Sequence, residues 1–432
     1  MDRPRILVVC PTDWERAAIA AAPLCDRYEF VICCEELYDS IGLWRALRFD
    51  VFDYLRGVVR RFRDAGIAGV LGTGDYPGCM FGAFIAGELG LPAPRARDAV
   101  LLSHKYYSRQ HQRRTVPEAT PAFALVDPRA PREPETLEYP FFVKPVKGTM
   151  SIRAQMVHDR GELTQALALT PRERLQGWVV LRPYAQLLRA YAPEPAPLRM
   201  FIAEAPLRGR QVTVDGFVQG GVVTVMGIVD SIMYPGTMSF HRFEYPSALP
   251  AAVQARMVAI ATRLMEGAAP GFDHSCFNIE MFHDEATDAL SIIEINPRMS
   301  YQFSDLFERV DGMSSFAAQL MLATGVPVAW PRGAGPEGAA VSLVMRRFAD
   351  ARVLSVPTRA EIDAVERRFP GTQVRLLCSV GDRLSGHAQD VGSYRYCIVN
   401  AAAGSHAQLR ARCEALTEML PFVFSSPDAR RS

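Results

Sequence analysis

Residues 290–301, LSIIEINPRMSY, join a β-branched run to a proline and an arginine. The run predicts a short strand, and Pro297, which cannot donate to a strand ladder, marks its end. Successive side chains of a strand point to opposite faces, so Glu294, Asn296 and Arg298 are predicted to share one face. A carboxylate, an amide and a guanidinium there suit a hard cation on phosphate oxygens, with the arginine countering charge that develops during transfer. The alternative interpretation is the solvated face of an edge strand.

A second strand is predicted just upstream, over residues 276–282, where the alternating sequence CFNIEMF carries another carboxylate, Glu280. Residues 283–289 form the predicted turn between the two strands. An antiparallel pair joined there would hold Glu280 beside Glu294, and their mutual repulsion is costly unless a cation lies between them. The two strands together therefore outline a metal site.

This pair of strands, one ending in Asn-Ile-Glu280 and the other reading Ile-Glu-Ile-Asn-Pro-Arg298, resembles the metal-binding end of the ATP-grasp superfamily. Carboxylate–amine ligases and biotin carboxylases share that pattern. The resemblance implies ATP as the nucleotide and Mg²⁺, or alternatively Mn²⁺, as the metal. It implies that Glu280, Glu294 and Asn296 hold the metal on the nucleotide phosphates. Arg298 would then face the transferred phosphate or the acyl phosphate.

Residues 139–151, YPFFVKPVKGTMS, predict an apolar strand that delivers Lys144 to a short loop containing Gly148 and Ser151. Backbone amides and hydroxyls of such a loop, beside an ammonium group, can bind an anion. The segment resembles the phosphate-binding lysine and glycine-rich loop of ATP-grasp enzymes, although many relatives carry more glycines here. By the same resemblance, Lys105 is a second lysine on the nucleotide phosphates. Taken alone, a lysine at the start of a helix is unremarkable.

Residues 200–216, MFIAEAPLRGRQVTVDG, resemble the hinge of ATP-grasp enzymes, where backbone groups contact the adenine edge and a glutamate binds ribose or adenine. The glutamate would be Glu204, for which a surface salt bridge is the alternative. Residues 187–198, just before the hinge, are predicted to be an insertion. The other nucleotide contacts that the resemblance implies are those of Phe201, Ile202 and Ala203, through their backbone, and of Gln211.

The chain has 432 residues, which is long for one core and suggests several modules. Strands alternating with helices over about residues 1–100 predict an N-terminal doubly wound α/β domain, which is the Rossmann-like pre-ATP-grasp domain of the resemblance. Residues 101–330 would form a two-lobed ATP-grasp domain, with a nucleotide lobe at about 139–216 and a metal lobe at about 217–330. Residues 335–432 resemble the small α+β subdomain that ends several amino-acid ligases.

Three further segments carry weaker predictions. The polar and aromatic residues 237–247 are a candidate substrate loop. Arg346 and Arg347 are candidate carboxylate anchors, for which exposed surface arginine is the alternative. Residues 72–78, GTGDYPG, favour a dinucleotide fingerprint only weakly, because the glycine spacing is off and Pro77 interrupts the expected helix start.

The composition argues against several classes of protein. A formal charge of +1 and a pI near 7.6 give no nucleic-acid footprint. No apolar run approaches the roughly 20 residues that span a bilayer, so we expect no membrane partner and a cytoplasmic location. The nine cysteines form no C-x-x-C pair, and several lie in apolar runs, which favours free, buried thiols.

We expect an ATP-dependent carboxylate–amine ligase, in which ATP phosphorylates a carboxylate and an amine attacks the acyl phosphate to give an amide, ADP and phosphate. Lys144 and Arg298 are the expected catalytic residues. The sequence shows no convincing Ser-His or Cys-His arrangement, which agrees with chemistry that needs no protein nucleophile. The partners would be small-molecule carboxylates and amines, with a homodimer left open. The alternatives are biotin carboxylase-like carboxyphosphate chemistry and a non-catalytic nucleotide-binding protein.

Overall fold

The computed structural model describes residues 3–21, 26–35, 47–148, 153–192, 194, 198–387 and 392–426. Ser151, in the predicted phosphate loop, lies outside these residues. Among the described residues no helix is long and apolar enough to cross a membrane, and the cysteines are buried thiols. The strands are β1 (Arg5–Val9), β2 (Glu29–Cys33), β3 (Ile67–Leu71), β4 (Phe123–Val126), β5 (Phe141–Pro145), β6 (Gln155–Val157), β7 (Phe201–Glu204), β8 (Arg210–Gln219), β9 (Val222–Met233), β10 (Phe240–Tyr245), β11 (Ser275–Asp284), β12 (Ala289–Asn296), β13 (Ala339–Arg347), β14 (Val353–Ser355), β15 (Gln373–Leu376), β16 (Tyr394–Ala403) and β17 (Val423–Phe424). The α-helices are α1 (Asp13–Ala21), α2 (Val51–Phe62), α3 (Gly78–Glu88), α4 (Ala96–Leu102), α5 (Lys105–Thr115), α6 (Arg160–Leu167), α7 (Pro171–Tyr191), α8 (Ala251–Glu266), α9 (Tyr301–Asp311), α10 (Ser315–Ala323), α11 (Arg359–Arg368) and α12 (His406–Met419).

The first sheet has three parallel strands in the order β2-β1-β3. Its central strand is apolar on both faces. Leu7 and Val9 pack in a core with α2, α3 and α7, whereas Ile6 and Val8 pack in a second core with α9 and α10. This is the parallel sheet, covered on both faces, that alternating strands and helices predict.

The second sheet has four antiparallel strands in the order β4-β7-β5-β6. Phe141 and Val143 of β5 pack with α6 in a small core. Side chains two apart share a face of a strand, so Phe142 and Lys144 project from the other face of β5. The predicted phosphate lysine therefore leaves the sheet on the side away from this core.

The third sheet has eight strands in the order β12-β11-β8-β9-β10-β13-β16-β15. Two groups of its strands come from segments that were predicted to belong to other lobes or subdomains. β8, most of which falls in the predicted nucleotide lobe at 139–216, is an inner strand of this sheet. The strands β13, β15 and β16, from the predicted C-terminal subdomain at 335–432, extend the same sheet through the β10–β13 pair, and α11 and α12 pack on them.

The predicted insertion at 187–198 begins inside α7. Thr170 and Glu173 form a capping box that starts this helix. Near its end, Tyr184, Leu187 and Leu188 are buried at helical spacing against the N-terminal domain. The first part of the predicted insertion is therefore core, while residues 193 and 195–197 lie outside the described part of the chain.

Candidate active site

A cavity of about 770 Å³ lies where the three sheets meet. It is bounded by β5, β6 and β7, by β8, β11 and β12, and by the loops that follow β1 and β3. Segments that are far apart in the sequence therefore build one site. Of the residues predicted from sequence, those that line the cavity are Lys105, Lys144, Glu204, Gln211, Glu280, Glu294, Asn296 and Arg298.

The register of β11 and β12 places Glu280 directly opposite Glu294. The alternation of β12 is interrupted once, because Ile293 has no partner on β11 and forms a β-bulge. Before the bulge the even-numbered Ile292 packs in the core, and after it the odd-numbered Ile295 does. The bulge reverses the phase of the strand just before Glu294, so this carboxylate faces the cavity instead of the core.

The two opposed carboxylates differ in their electrostatic surroundings. Burial and the charge of Glu294 raise the pKa of Glu280 to about 7. Burial also acts to raise the pKa of Glu294, but Lys105 and Lys144 outweigh it, so that pKa is lowered. The Lys105 ammonium lies 3.0 Å from the Glu294 carboxylate, whereas Glu280 accepts a hydrogen bond of 3.0 Å from the Gln211 amide. A cation between the carboxylates would relieve the repulsion that raises the pKa of Glu280.

The donor set fits Mg²⁺. Two carboxylates and the amide of Asn296 offer the hard oxygen ligands that this ion prefers. Asn296 is oriented by a hydrogen bond of 3.1 Å from its Nδ2 to Asn278 Oδ1. Among the described residues, no group of three or more His, Cys, Asp or Glu side chains could hold a metal ion by itself. A Mg²⁺ ion held by two carboxylates and an amide would complete its coordination with phosphate oxygens and water.

Lysine is confined to this cavity. Of the 48 lysines and arginines in the chain, only Lys105, Lys144 and Lys147 are lysines, and all three line it. An ammonium is a compact charge with three rotatable donors, whereas a guanidinium is larger and planar. Lys105 also donates to the carbonyl of Gly148 at 3.2 Å, beside the predicted phosphate loop. Three clustered ammonium groups favour a multiply charged anion such as a nucleotide triphosphate.

The prediction for the hinge backbone does not fit the structure. Phe201, Ile202 and Ala203 are the first three residues of β7, which pairs with β4 along one edge and with β5 along the other. All three are buried, and they do not line the cavity. Their backbone groups are committed to the sheet and are not free to contact an adenine edge. Within the segment 200–216, the first residues to line the cavity are Glu204 and Ala205.

Glu204 is buried and is not part of a surface salt bridge. Its two carboxylate oxygens lie 2.6 Å from Arg109 Nε and 2.7 Å from Lys144 Nζ. Burial opposes ionisation of this carboxyl, but the two cations lower its pKa to about 2. Glu204 therefore orients Lys144, and the ribose or adenine contact predicted for its side chain would compete with these ion pairs.

An apolar slot adjoins the charged groups. On β5, Phe142 shares a face with Lys144, and on β11, Phe282 shares a face with Glu280. Both rings line the cavity, together with Met156, which pairs with Phe142 across β5 and β6. Each of the two sheets thus places an aromatic side chain next to a charged one, an arrangement that suits a planar base attached to phosphates.

No family model matches the chain, and no curated protein does. Solved structures do match it. The L-amino acid ligase from Bacillus licheniformis superposes with a TM-score of 0.72 at 16% sequence identity, over 99% of this chain and 100% of that one. The N5-carboxyaminoimidazole synthase from Aspergillus clavatus, in complex with ADP and 5-aminoimidazole ribonucleotide, gives 0.64 at 12% identity, over 96% and 98%. The biotin carboxylase domain dimer of the Hydrogenobacter thermophilus 2-oxoglutarate carboxylase, in complex with MgADP, ADP and bicarbonate, gives 0.64 at 13% identity, over 99% and 92%.

The chain has the ATP-grasp fold. The mixed α/β architecture that the sequence predicted matches these solved structures over nearly the whole chain. At 12–16% identity the likeness establishes the fold, and the roles of individual residues rest on the geometry of the cavity.

The ATP-grasp cavity extends to a loop of the N-terminal domain, within the segment 72–78 that was considered above as a dinucleotide fingerprint. Residues 73–75, after β3, line it. A Cβ on Gly72 would lie 2.2 Å from the carbonyl oxygen of Gly78, so this tight loop requires glycine. Asp75 from this loop lies 3.2 Å from Lys147 Nζ. The scarcity of lysine is the signal that could have identified Lys147, whereas nothing local in the sequence identifies Asp75.

The 237–247 segment contributes Met238 and Phe240 to the cavity wall. Arg346 is buried and donates to the carbonyl of Phe240 at 2.8 Å and to Ser393 Oγ at 3.1 Å. The guanidinium of Arg347 lies over the ring of Phe424, 4.6 Å from its centroid. Neither arginine lines the cavity, so the prediction of carboxylate anchors does not fit. Arg346 of β13 instead links the candidate substrate loop to the C-terminal part of the chain through these hydrogen bonds.

Lys144→Ala should weaken ATP binding by roughly 10–100-fold, because it removes a charge-assisted contact to phosphate. The fold should persist, since Glu204 keeps Arg109 as its partner. Titration calorimetry with ATP measures the affinity, and thermal unfolding checks the fold. Arg114→Ala, at an exposed position of α5, is the control. An unchanged affinity in a folded Lys144→Ala variant would remove Lys144 from the site.

Proposed function

We propose that this protein is an ATP-dependent carboxylate–amine ligase that forms an amide bond through an acyl phosphate and releases ADP and phosphate. The observation that carries the proposal is the convergence of all three lysines, the opposed Glu280 and Glu294, and Arg298 on one cavity. The likeness to solved structures of ligases with the ATP-grasp fold supports it.

The nucleotide would lie between the second and third sheets. Its base fits the slot between Phe142 and Phe282, and its phosphates fit beside Lys144 and Lys105. The residues that would hold Mg²⁺ are Glu280, Glu294 and Asn296. When bound there, Mg²⁺ would neutralise phosphate charge and orient the terminal phosphate. The complexes of two similar proteins with ADP or MgADP support ATP and magnesium as the ligands.

The first chemical step needs a carboxylate oxygen to attack the γ-phosphorus, in line with the leaving oxygen of ADP. Arg298, which follows β12, lines the cavity and would stabilise charge on the transferred phosphoryl group. In the second step an amine nitrogen attacks the acyl carbon. The carbon–oxygen bond to phosphate then breaks and the amine loses a proton. Neither step uses a covalent bond to the protein, so positioning and charge supply the catalysis.

We infer that at least one substrate is an amino acid. Asp75 and Lys147 border the cavity as an ion pair, in which the ammonium group of an amino acid would contact Asp75 and its carboxylate would contact Lys147. The apolar side chains of Trp14, Met238 and Phe240 line the same cavity and suit an apolar side chain on the substrate. The likeness to an L-amino acid ligase supports this class of substrate.

ADP, and not AMP, should be the nucleotide product. The lysines and the Glu280–Glu294 pair surround the terminal phosphates in this arrangement, which favours attack at the γ-phosphorus over attack at the α-phosphorus. A phosphate-release screen over pairs of amino acids, with ATP and Mg²⁺, finds accepted substrates, and chromatography then separates the nucleotides. Stoichiometric AMP would contradict the acyl-phosphate mechanism. Phosphate release with bicarbonate but with no carboxylate and amine pair would favour carboxyphosphate chemistry.

A further inference from the structure

Arg109 of α5 is a buried arginine, 1% exposed, that contacts strands of both the second and the third sheet. Its Nε donates to Glu204 of β7 at 2.6 Å. Its Nη1 donates to the carbonyl of Ile292 at 2.8 Å and to the Gln112 side chain, and its Nη2 donates to the carbonyl of Ile293 at 2.7 Å. One guanidinium thus joins the strand that carries Glu204 to the strand that carries Glu294.

The two carbonyls that Arg109 contacts belong to the β-bulge of β12. In a regular strand, successive carbonyls point to opposite edges. The carbonyls of Ile292 and Ile293 are consecutive, yet both accept from the same planar group. Among the described strands, β12 has only β11 as a neighbour, so its outer edge depends on other partners. Arg109 satisfies backbone acceptors that the bulge leaves outside the ladder.

The bulge decides which residues of β12 face the cavity. Without it, the strict alternation that buries Leu290 and Ile292 would turn Glu294 into the core. With it, Glu294 lies opposite Glu280 on the cavity side. Anything that holds the bulge in place therefore holds the two carboxylates together.

We propose that Arg109 is a positioning residue. It stabilises the bulge at Ile293 and so keeps Glu294 and Asn296 in the geometry that binds a divalent cation. This inference rests on the metal site of the proposed function. A lysine at position 109 could retain the charge beside Glu204. It could not reproduce the planar fork of donors that reaches Glu204 and two successive carbonyls at once.

The test uses Arg109→Lys and Arg109→Met in the full chain, with Arg114→Lys on the exposed face of the same helix as the control. Calorimetry measures ADP binding in EDTA and across a Mn²⁺ titration. The Mn²⁺ concentration that supports tight ADP binding should rise roughly tenfold in Arg109→Lys, in line with the loss of a group that orients metal ligands. ADP affinity in EDTA is measured on each variant as the metal-independent reference. Hydrogen exchange should become faster in residues 289–296.

The outcomes separate this inference from the proposed function. A wild-type protein that binds ADP no more tightly with Mn²⁺ than in EDTA would overturn the metal site and, with it, the role of Arg109. If the wild-type protein shows metal-dependent binding and Arg109→Lys shows the same dependence, only the role of Arg109 is overturned, even if the variant melts earlier. Arg109→Lys carries the test by itself if Arg109→Met does not fold.

Discussion

Glu294→Gln should lower ATP-dependent turnover by roughly 10²–10³-fold at ordinary magnesium concentrations. The variant keeps the shape of the side chain but loses the negative charge that, with Glu280, would hold the cation on the phosphates. In the wild-type chain the Lys105 ammonium lies 3.0 Å from the Glu294 carboxylate, and the variant leaves it without that partner. We therefore expect loss of activity together with a lower melting temperature in the absence of ligands.

The measurement is phosphate release over a magnesium titration, with thermal unfolding of each variant as the check on folding. Glu285→Gln is the matched control, because Glu285 lies in the turn between the same two strands and its side chain is 65% exposed. The control should keep wild-type turnover. If Glu294→Gln kept wild-type rates at every magnesium concentration, the assignment of β12 to a metal site would be wrong.

Local alternation was sufficient to predict the central hairpin. The strand predicted at 276–282 lies within β11, and the strand and turn that follow it also agree with the period-two pattern. The opposition of Glu280 and Glu294 was predicted correctly, but it depends on the bulge at Ile293, which the pattern does not show. The apolar run that delivers Lys144 was equally readable, as was the parallel sheet of the N-terminal domain. These features depend on residues close together in sequence, so the local pattern of apolar and polar residues was enough to predict them.

Features set by long-range partners could not be predicted. A bulge at Ile293 is invisible in a β-branched run, because which residue is skipped depends on the register against β11 and on Arg109. The hinge residues 201–203 match a hinge in sequence, but strands on both sides take up their backbone groups. The pair formed by Asp75 and Lys147 joins residues 72 positions apart, so no local pattern contains it.

Glu280→Gln should also lower turnover by roughly 10²–10³-fold, since it removes the other carboxylate of the proposed metal site. Its effect on stability should have the opposite sign to that of Glu294→Gln. Glu280 has no lysine in the position that Lys105 takes beside Glu294, and its carboxylate accepts hydrogen bonds from Gln211 and Asn296. A neutral amide there ends the repulsion by Glu294 and leaves no cation without its partner.

The pH dependence of stability gives the sign of the Glu280 effect. The pKa of Glu280 is about 7 in the folded chain against 4.5 for an ordinary glutamate, so between these values the folded state binds more protons than the unfolded state. The contribution of this group to stability therefore falls as the pH rises from 4.5 to about 7, and it stays low above that. In EDTA without nucleotide, Glu280→Gln should melt roughly 2–4 °C above the wild type at pH 8, with a smaller difference at pH 5. A difference that is constant with pH, or a variant that melts below the wild type at pH 8, would show that burial and the charge of Glu294 do not raise the pKa of Glu280.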